Sequence, residues 1–431
     1  MERLHTISNK MKFREVTIGC MICLLCGCSA AGLSPSSEEV EGTYELKAAV
    51  SVTSQGSDMV PSDKIQKNPL KKGTFEGTQA ERLPSDAEQL IRAYMERYYE
   101  SLSKLELTSC SDLFTPDAGE QVLMNESALS YLIGLRSMQD TDLRLADYDY
   151  AMEVDEVRQL GDGAWEVFLT ETSTQNFMEH PEIDSELFRI RHYFLMEQSE
   201  GHLRVKEHLQ RDGIYRNLLG DYWNWDVRSM APQPETYYPE RVRELLQEAG
   251  TGKAEREEEN IVSYPEAEFS YDREAAVSYS NQWVGKRNQE WDDFTGRGGN
   301  CQNFVSQCLF AGGIPMDDQG DAVWLWHDSG DLSSSWIGVD EFYRYTVENS
   351  GFGLVAVPDA PYTEGEEGDL IRMGHDGDWN HVVMISHVIR DAQGNAIDYL
   401  INSNTSDVRN FPVSAYPNPI QRLTKIIGRN E

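Results

Sequence analysis

Near residue 300 a glycine pair leads directly into a short apolar helix, and this junction restricts the possible folds more than any other feature of the chain. The sequence reads Gly298-Gly299-Asn300-Cys301. Adjacent glycines permit the unusual backbone angles of a tight turn, and asparagine is a favoured helix N-cap. Apolar residues then recur on one helical face until Gly312 ends the helix. Cys301 is therefore predicted in the first turn of a buried helix.

A cysteine in the first turn of a helix is activated as a nucleophile by the start of the helix itself. The N–H groups of that turn have no partner within the helix, and the helix dipole favours negative charge there. A thiolate is stabilised in this setting, and the same N–H groups can bind the oxyanion of a tetrahedral intermediate. Cys308 lies mid-helix on the apolar face and is predicted to be a buried structural cysteine. The pattern predicts Cys301 as the nucleophile and a lowered pKa for its thiol.

A thiolate nucleophile requires a base, and four downstream histidines are candidates. They are His327, His375, His381 and His387. His381 opens an apolar strand-like run directly after a loop rich in Gly and Asp, so it can face a cleft while the strand stays in the core. His387 lies about 20 Å further along the same strand, and His375 lies in the loop. We therefore predict His381 as the base.

A third polar group is expected to orient the imidazole of the base. The strand-like segment at residues 399–405 follows His381 and is predicted to pair with its strand in antiparallel fashion. It carries Asn402 and Asn404, and an asparagine there can accept the imidazole N–H and fix its tautomer. Both asparagines lie on the same face by alternation, so the pattern does not separate them.

The first residues have the pattern of an export signal. A basic stretch at residues 10–14 precedes an apolar run at residues 16–27 that is too short to span a bilayer comfortably. The run ends in Leu25-Cys26-Gly27-Cys28, which resembles a bacterial lipoprotein signal, although cysteine is unusual in the place of Cys26. The resemblance implies a signal peptide at residues 1–27 and lipidation of Cys28. An ordinary secretory signal is the alternative.

Composition and periodicity divide the remaining chain. Residues 28–84 are rich in Ser, Gly, Glu, Lys and Pro and are predicted to be a disordered tether. Residues 85–226 start with helical spacing, with Ser85 as N-cap of a capping box, and continue with alternating strands. This order predicts a smaller α+β accessory domain of nuclear-transport-factor-like or cystatin-like type. Residues 227–268 are predicted to be a linker, and residues 269–431 the C-terminal domain.

The charge and the histidine spacing argue against two classes of function. The chain has 73 acidic and 38 basic residues and a net charge of −35. Such a surface repels phosphate backbones, so nucleic acid is not an expected partner. The C-terminal histidines lack the spacing of a metal site such as His-Glu-x-x-His. A metalloenzyme is therefore disfavoured, and no metal or other cofactor is predicted.

Several blocks of the C-terminal third resemble the amidase_6 family of Gram-positive bacteria, which belongs to the papain-like group with the NlpC/P60 and CHAP hydrolases. The similar blocks occur in the family's order. They are residues 271–279, residues 298–307 around Cys301, residues 311–316, Trp336 with Phe342 and Tyr345, residues 368–369, His381 with the strand after it, and residues 405–410. Together they cover a little over a third of the chain.

The resemblance implies an α+β, papain-like (NlpC/P60-like) domain in which a helix carrying the cysteine packs on an antiparallel sheet. Residue by residue it implies Cys301 as nucleophile, His381 as base and Asn404 as the third polar residue. Two departures occur. The family has Asp and Thr where this chain has Asn300 and Gln302, and His where it has Asn404. Neither removes the chemistry, because an asparagine can hold an imidazole and the loss of a negative charge eases thiolate formation.

These features lead to one expected function and one alternative. We expect a lipid-anchored, extracytoplasmic cysteine hydrolase that cleaves an amide bond in cell-wall peptide or a related peptide. Its expected partners are a peptide or peptidoglycan substrate and the membrane, through the lipid on Cys28. The alternative is a non-catalytic binding or scaffold lipoprotein of the cell envelope with a papain-like fold.

Overall fold

The computed structural model describes residues 72–161, 163–224, 233–257, 261–349, 351–375 and 378–431. The predicted signal peptide, the lipidation site Cys28 and the tether up to residue 71 lie outside these ranges. The described residues belong to one compact unit with a mixed α/β architecture, built on a sheet of twelve mostly antiparallel strands. Within the described ranges no helix is both long enough and apolar enough to cross a membrane.

The N-terminal half begins with two helices and a strongly paired antiparallel meander and continues with two further helices. Its first elements are β1 (Thr74–Glu76), α1 (Ser85–Lys104), α2 (Gly119–Ser137), β2 (Leu145–Leu160), β3 (Ala164–Phe177), β4 (Ser185–Ser199) and β5 (His202–Arg211). Helix α1 begins at Ser85 itself, so this residue lies inside the helix, and Pro84 occupies the N-cap position. The Ser85 hydroxyl accepts a hydrogen bond from Gln89 Nε2 at 3.2 Å. The predicted capping box is therefore not formed.

The range predicted as a linker contains a packed helix. After α3 (Gly213–Leu219), helix α4 (Tyr237–Arg256) packs against α2 and the last strand of the chain. Leu245 and Ala249 are buried on its inner face, and Gly252 lies directly against the backbone of Pro419. The charged stretch thus exposes one face and contributes the other to the core.

The C-terminal half contributes four helices and the remaining strands. They are β6 (Phe269–Ser270), α5 (Arg273–Trp283), α6 (Cys301–Ala311), the hairpin β7 (Trp326–Asp328) and β8 (Asp331–Leu332), α7 (Ser334–Ile337), α8 (Val339–Glu348), β9 (Gly353–Ala360), β10 (Leu370–His375), β11 (Asp378–Arg390), β12 (Ala396–Ser403), β13 (Val408–Pro412) and β14 (Ile420–Asn430). The Asp272 carboxylate caps α5 by accepting from the N–H of Ala275 at 3.0 Å.

One sheet runs through both halves. Its order is β1-β2-β3-β4-β13-β12-β11-β10-β14-β6, with β5 paired to β4 and β9 paired to β14. The two halves meet where β4 pairs with β13, with Leu187 opposite Val408. Ser185 Oγ also donates to the carbonyl oxygen of Asn410 at 2.6 Å. Backbone pairing therefore joins the two halves directly.

The two faces of the central strands bury different sets of residues. Val383 and Ile385 of β11 belong to the large core that includes the N-terminal helices. Val382 and Met384 alternate with them and belong to a second core, which contains Phe304 and the other apolar residues of α6. The helix that carries Cys301 is thus packed on a largely antiparallel sheet, as expected from the sequence.

Candidate active site

Cys301 is the first residue of α6. The turn before it contains Gly298 and Gly299 with φ angles of +104° and +112°, a conformation that residues with a side chain rarely adopt. A Cβ atom on Gly299 would lie 3.4 Å from Thr405 Oγ1. The glycine pair therefore creates the turn and allows Thr405 to approach the start of the helix.

Asn300 occupies the N-cap position, but its side chain does not cap the helix. Its Oδ1 atom instead accepts hydrogen bonds from the N–H of Phe294 at 3.1 Å and from Asn303 Nδ2 at 2.8 Å. Its own N–H donates to Thr405 Oγ1 at 2.7 Å. Asn300 thus fixes the loop before the helix, and the first-turn N–H groups are left without a side-chain cap.

The pKa of the Cys301 thiol is shifted upward. Cys301 is only 5% exposed, and burial raises its pKa, while the N–H groups of Val382, Gln302 and Cys301 and the hydroxyl of Thr405 act in the opposite direction. The predicted lowering of the pKa is wrong in sign, because desolvation of the thiolate outweighs these hydrogen bonds.

His381 lies inside β11, which starts three residues earlier, and it is adjacent in sequence to Val382, whose N–H faces the thiol of Cys301. Its Nε2 atom is 2.8 Å from the Tyr416 hydroxyl and 3.3 Å from Ser403 Oγ. The rings of His381 and Tyr416 are stacked, with centroids 5.2 Å apart. Burial lowers the pKa of His381 to about 4, so the imidazole is neutral at pH 7.

Among the described residues, the hydrogen-bond partners found for His381 are both at Nε2, and Cys301 is not one of them. Cys301 and His381 thus approach each other through the Val382 backbone, and no direct hydrogen bond joins them in the described part of the chain. Catalytic hydrogen bonds are often long in structures without substrate.

Asn404 does not contact the imidazole. Its Nδ2 atom donates to the carbonyl oxygens of Trp283 at 3.3 Å and Lys286 at 3.0 Å, and its Oδ1 atom accepts from the N–H of Gly285 at 3.2 Å. These three bonds close the turn after α5. The structure therefore brings Cys301 and His381 to one place but directs Asn404 away from them.

The second asparagine of this region is also engaged elsewhere. Asn402 Nδ2 donates to Ser280 Oγ and Asn281 Oδ1, both at 2.8 Å, and its Oδ1 atom accepts from the N–H of Asn410 at 2.9 Å. Neither candidate from the alternation pattern serves His381. The side chain between them, Ser403, and the loop residue Tyr416 do so instead.

Ser403 and Tyr416 were not predicted as partners of His381, for different reasons. Ser403 is the last residue of β12, the strand predicted to flank His381. The sequence did not show that the strand ends there, so alternation did not indicate Ser403. Tyr416 lies 35 residues beyond His381 in a loop without periodicity, so no local pattern indicates its role.

Among the side chains that the structure describes, Cys110, Cys308, His327 and His387 take no part in the site, and the side chain of the candidate His375 lies outside those described. Cys308 is fully buried, and burial raises the pKa of its thiol well above the usual value, which agrees with a structural role. His327 and His387 are exposed. Cys110, Cys301 and Cys308 are free thiols. Within the ranges that the structure describes, no three His, Cys, Asp or Glu residues are grouped so that they could hold a metal ion.

Comparison with known proteins supports the amidase part of the resemblance. A curated protein, "Uncharacterized protein YhbB" of Bacillus subtilis (strain 168), is 36% identical over 164 residues, which are 35% of this chain and 49% of that protein. The chain thus spans about half the length of this relative. A solved structure, the intermembrane space region of chloroplast protein ARC6, is 16% identical over 30% of this chain and 98% of its own, with a TM-score of 0.15. Residues 270–426 match the family model described as "Putative amidase domain", and the C-terminal third of the chain is therefore similar to this amidase family.

Proposed function

We propose that residues 270–426 form a papain-like cysteine hydrolase that cleaves an amide bond, with Cys301 as nucleophile and His381 as base. The observation that supports this most is the contact between the Cys301 thiol and the N–H of Val382, because it brings the residue adjacent to His381 against the start of α6. The family match over the same residues supports amide hydrolysis as the reaction class.

The raised pKa of Cys301 and the lowered pKa of His381 indicate a neutral thiol and a neutral imidazole at rest. The thiol proton then moves to His381 as the sulfur attacks the carbonyl carbon. In this mechanism the N–H groups of Cys301 and Gln302 at the start of α6 stabilise the oxyanion. Collapse breaks the C–N bond, and His381 returns the proton to the leaving amine. Water then hydrolyses the thioester and regenerates the thiol.

The N-terminal pattern is the basis for the proposed location and substrate of the hydrolase. The lipoprotein-like motif ending at Cys28 supports export and lipid anchoring, which would hold the hydrolase at the outer face of the cell membrane. At the outer face of the membrane, the peptide amide bonds of the cell wall are an abundant substrate for an amide hydrolase. Replacing Cys28 by Ala should abolish incorporation of a clickable palmitate analogue, whereas Cys26→Ala, two positions earlier, should retain it. Label that survives Cys28→Ala would reject this anchor.

One observation favours the alternative, a binding module without turnover. Cys301 is buried, its pKa is raised, and it has no hydrogen bond to His381. Such a site could hold a wall peptide without cleaving it.

Two cysteine variants of the full chain distinguish the two functions. Cys301→Ala should abolish amine release from a panel of muropeptides and synthetic peptides, and Cys308→Ala, seven residues along the same helix and also buried, should retain it. Activity that persists in Cys301→Ala would reject the proposed nucleophile. An absence of turnover, with equal binding of wild type and Cys301→Ala to purified cell walls, would favour the binding module.

A further inference from the structure

The loop that carries Tyr416 is held by helices of the N-terminal half. The carbonyl oxygen of Pro417 accepts hydrogen bonds from Asn217 Nδ2 of α3 at 2.7 Å and from the Tyr131 hydroxyl of α2 at 3.3 Å. A Cβ atom on Gly213, at the start of α3, would lie 2.7 Å from the Pro417 ring. The residue next to Tyr416 is therefore enclosed by two helices that lie outside residues 270–426.

The other end of the same loop is held in the same way. The carbonyl oxygen of Pro419 accepts from Arg256 Nη1 of α4 at 3.1 Å, and Gly252 of the same helix packs directly on the Pro419 backbone. Three helices of the N-terminal half thus surround the short segment between β13 and β14. This segment supplies the hydroxyl nearest to His381 Nε2.

The hydrogen bonds of Ser403 bear on which nitrogen of His381 carries the proton. The carbonyl oxygen of Thr405 lies 3.1 Å from Ser403 Oγ and is an acceptor for its single hydrogen. When the hydroxyl donates there, Ser403 can only accept from Nε2 at 3.3 Å. Nε2 then carries the hydrogen, and the Tyr416 hydroxyl at 2.8 Å is its nearer acceptor. A hydrogen on Nε2 leaves Nδ1 as the basic nitrogen.

We propose that Tyr416 is the positioning residue of His381, and that α2, α3 and α4 of the N-terminal half act as an intramolecular clamp that keeps it in place. The accessory half is then a required part of the hydrolase site, and Tyr416 takes the part that the resemblance assigns to Asn404. This inference rests on the proposed function only in taking His381 as the base.

The tautomer of His381 tests the first step without any substrate. The full chain, labelled with 15N-histidine, is studied by NMR, and His381→Gln assigns the signal among the nine histidines. We expect the proton on Nε2, with exchange against water roughly tenfold faster in Tyr416→Phe, which corresponds to the loss of one hydrogen bond. Tyr399→Phe removes a similarly buried hydroxyl, which is bonded to Tyr362 O. It should leave the Nε2–H exchange rate of His381 unchanged. A proton on Nδ1, or unchanged exchange in Tyr416→Phe, would overturn the proposal.

The clamp is tested with Asn217→Ala. It should accelerate Nε2–H exchange in the same direction as Tyr416→Phe and lower kcat more than it raises KM. Asn176→Ala removes an asparagine-to-carbonyl bond, to Ile183 O at 3.1 Å, together with one to Asp184 Oδ1 at 2.8 Å, and is the control for a general loss of stability. A variant Asn217→Ala that melts earlier with unchanged His381 signals would reject the clamp.

The proposed nucleophile and the proposed clamp can each be rejected independently of the other. If Cys301→Ala retains activity while Tyr416→Phe still accelerates Nε2–H exchange, the proposed nucleophile is wrong and the positioning of His381 stands. If Cys301→Ala is inactive and the His381 signals are unchanged in Tyr416→Phe and Asn217→Ala, the proposed hydrolase stands and the clamp is rejected.

Discussion

The hydroxyl of Tyr416 lies 2.8 Å from Nε2 of His381, and the two rings are stacked with an angle of 14° between their planes. The same arrangement buries the imidazole, whose pKa burial lowers to about 4. The hydrogen-bond partner of His381 thus comes from the loop between β13 and β14. Asn404, on the other side of Ser403, closes the turn after α5 instead.

Alkylation of Cys301 should depend steeply on pH. Because burial raises the pKa of its thiol, the thiolate fraction should increase about tenfold per pH unit through neutral pH. Iodoacetamide rates for each cysteine, measured by mass spectrometry from pH 6 to 10, should follow this slope at Cys301. Cys110, whose pKa burial raises to about 12, and the fully buried Cys308 should react more slowly. A Cys301 rate that is flat between pH 6 and 8 would indicate an already ionised thiol.

His381 should make the fold less stable in acid. Its pKa is about 4 in the folded state and about 6.5 in the unfolded chain, so the unfolded state binds more protons between these values. The stabilisation is therefore complete above pH 6.5 and is lost as the pH falls toward 4. Urea unfolding of His381→Gln should show a slope against pH that is shallower by up to about 1.4 kcal/mol per unit in this window.

The exposed His327→Gln variant is the comparison for that measurement, since it also removes a histidine but leaves the active-site region intact. Equal slopes for wild type and His381→Gln would contradict a neutral, buried His381.

The two glycines before Cys301 should differ in their effect on the site. Alanine at Gly298 or Gly299 imposes a positive φ on a residue with a side chain, which should lower the free energy of unfolding by about 1–3 kcal/mol. Only at Gly299 does the new Cβ atom also contact Thr405 Oγ1, whereas Gly298 has open space around it. Thr405 accepts from the Asn300 N–H, so Gly299→Ala should also alter the Cys301 alkylation rate. An equal alkylation rate in both variants would show that the Thr405 contact is unimportant.

Arg372 should stabilise the sheet next to the site through stacking. Its guanidinium lies 3.7 Å from the ring centroid of Tyr343 and 4.0 Å from that of Trp379, and it pairs with Asp359 Oδ1 at 3.2 Å. Arg372→Lys keeps the charge but loses the planar stack, so the free energy of unfolding should fall by about 1–2 kcal/mol. The exposed Arg344→Lys should change it by less than about 0.5 kcal/mol. Similar values for both variants in urea titrations would contradict the stacking contribution.

The positions of Cys301 and His381 were predictable because each depends on a short stretch of chain. A glycine pair before an apolar helical stripe places Cys301 at the start of α6, and alternation places His381 on a strand paired with β12. The amidase resemblance has the same origin, since it consists of local blocks in a conserved order of the chain. The helix at residues 237–256 lies in the range predicted as a linker, and its packing on α2 and β14 was not predicted.

Other properties of the site were decided by the tertiary structure alone. The partner of His381 is Tyr416, whose loop is held by residues up to 286 positions earlier in the chain, a distance over which periodicity carries no information. The sign of the Cys301 pKa shift is set by desolvation, which sums over every segment packed around the thiol. The sequence by itself determined which residues we propose to carry the chemistry. Only the tertiary structure decided what surrounds them, because burial and hydrogen bonding at a buried site depend on segments that are distant in sequence.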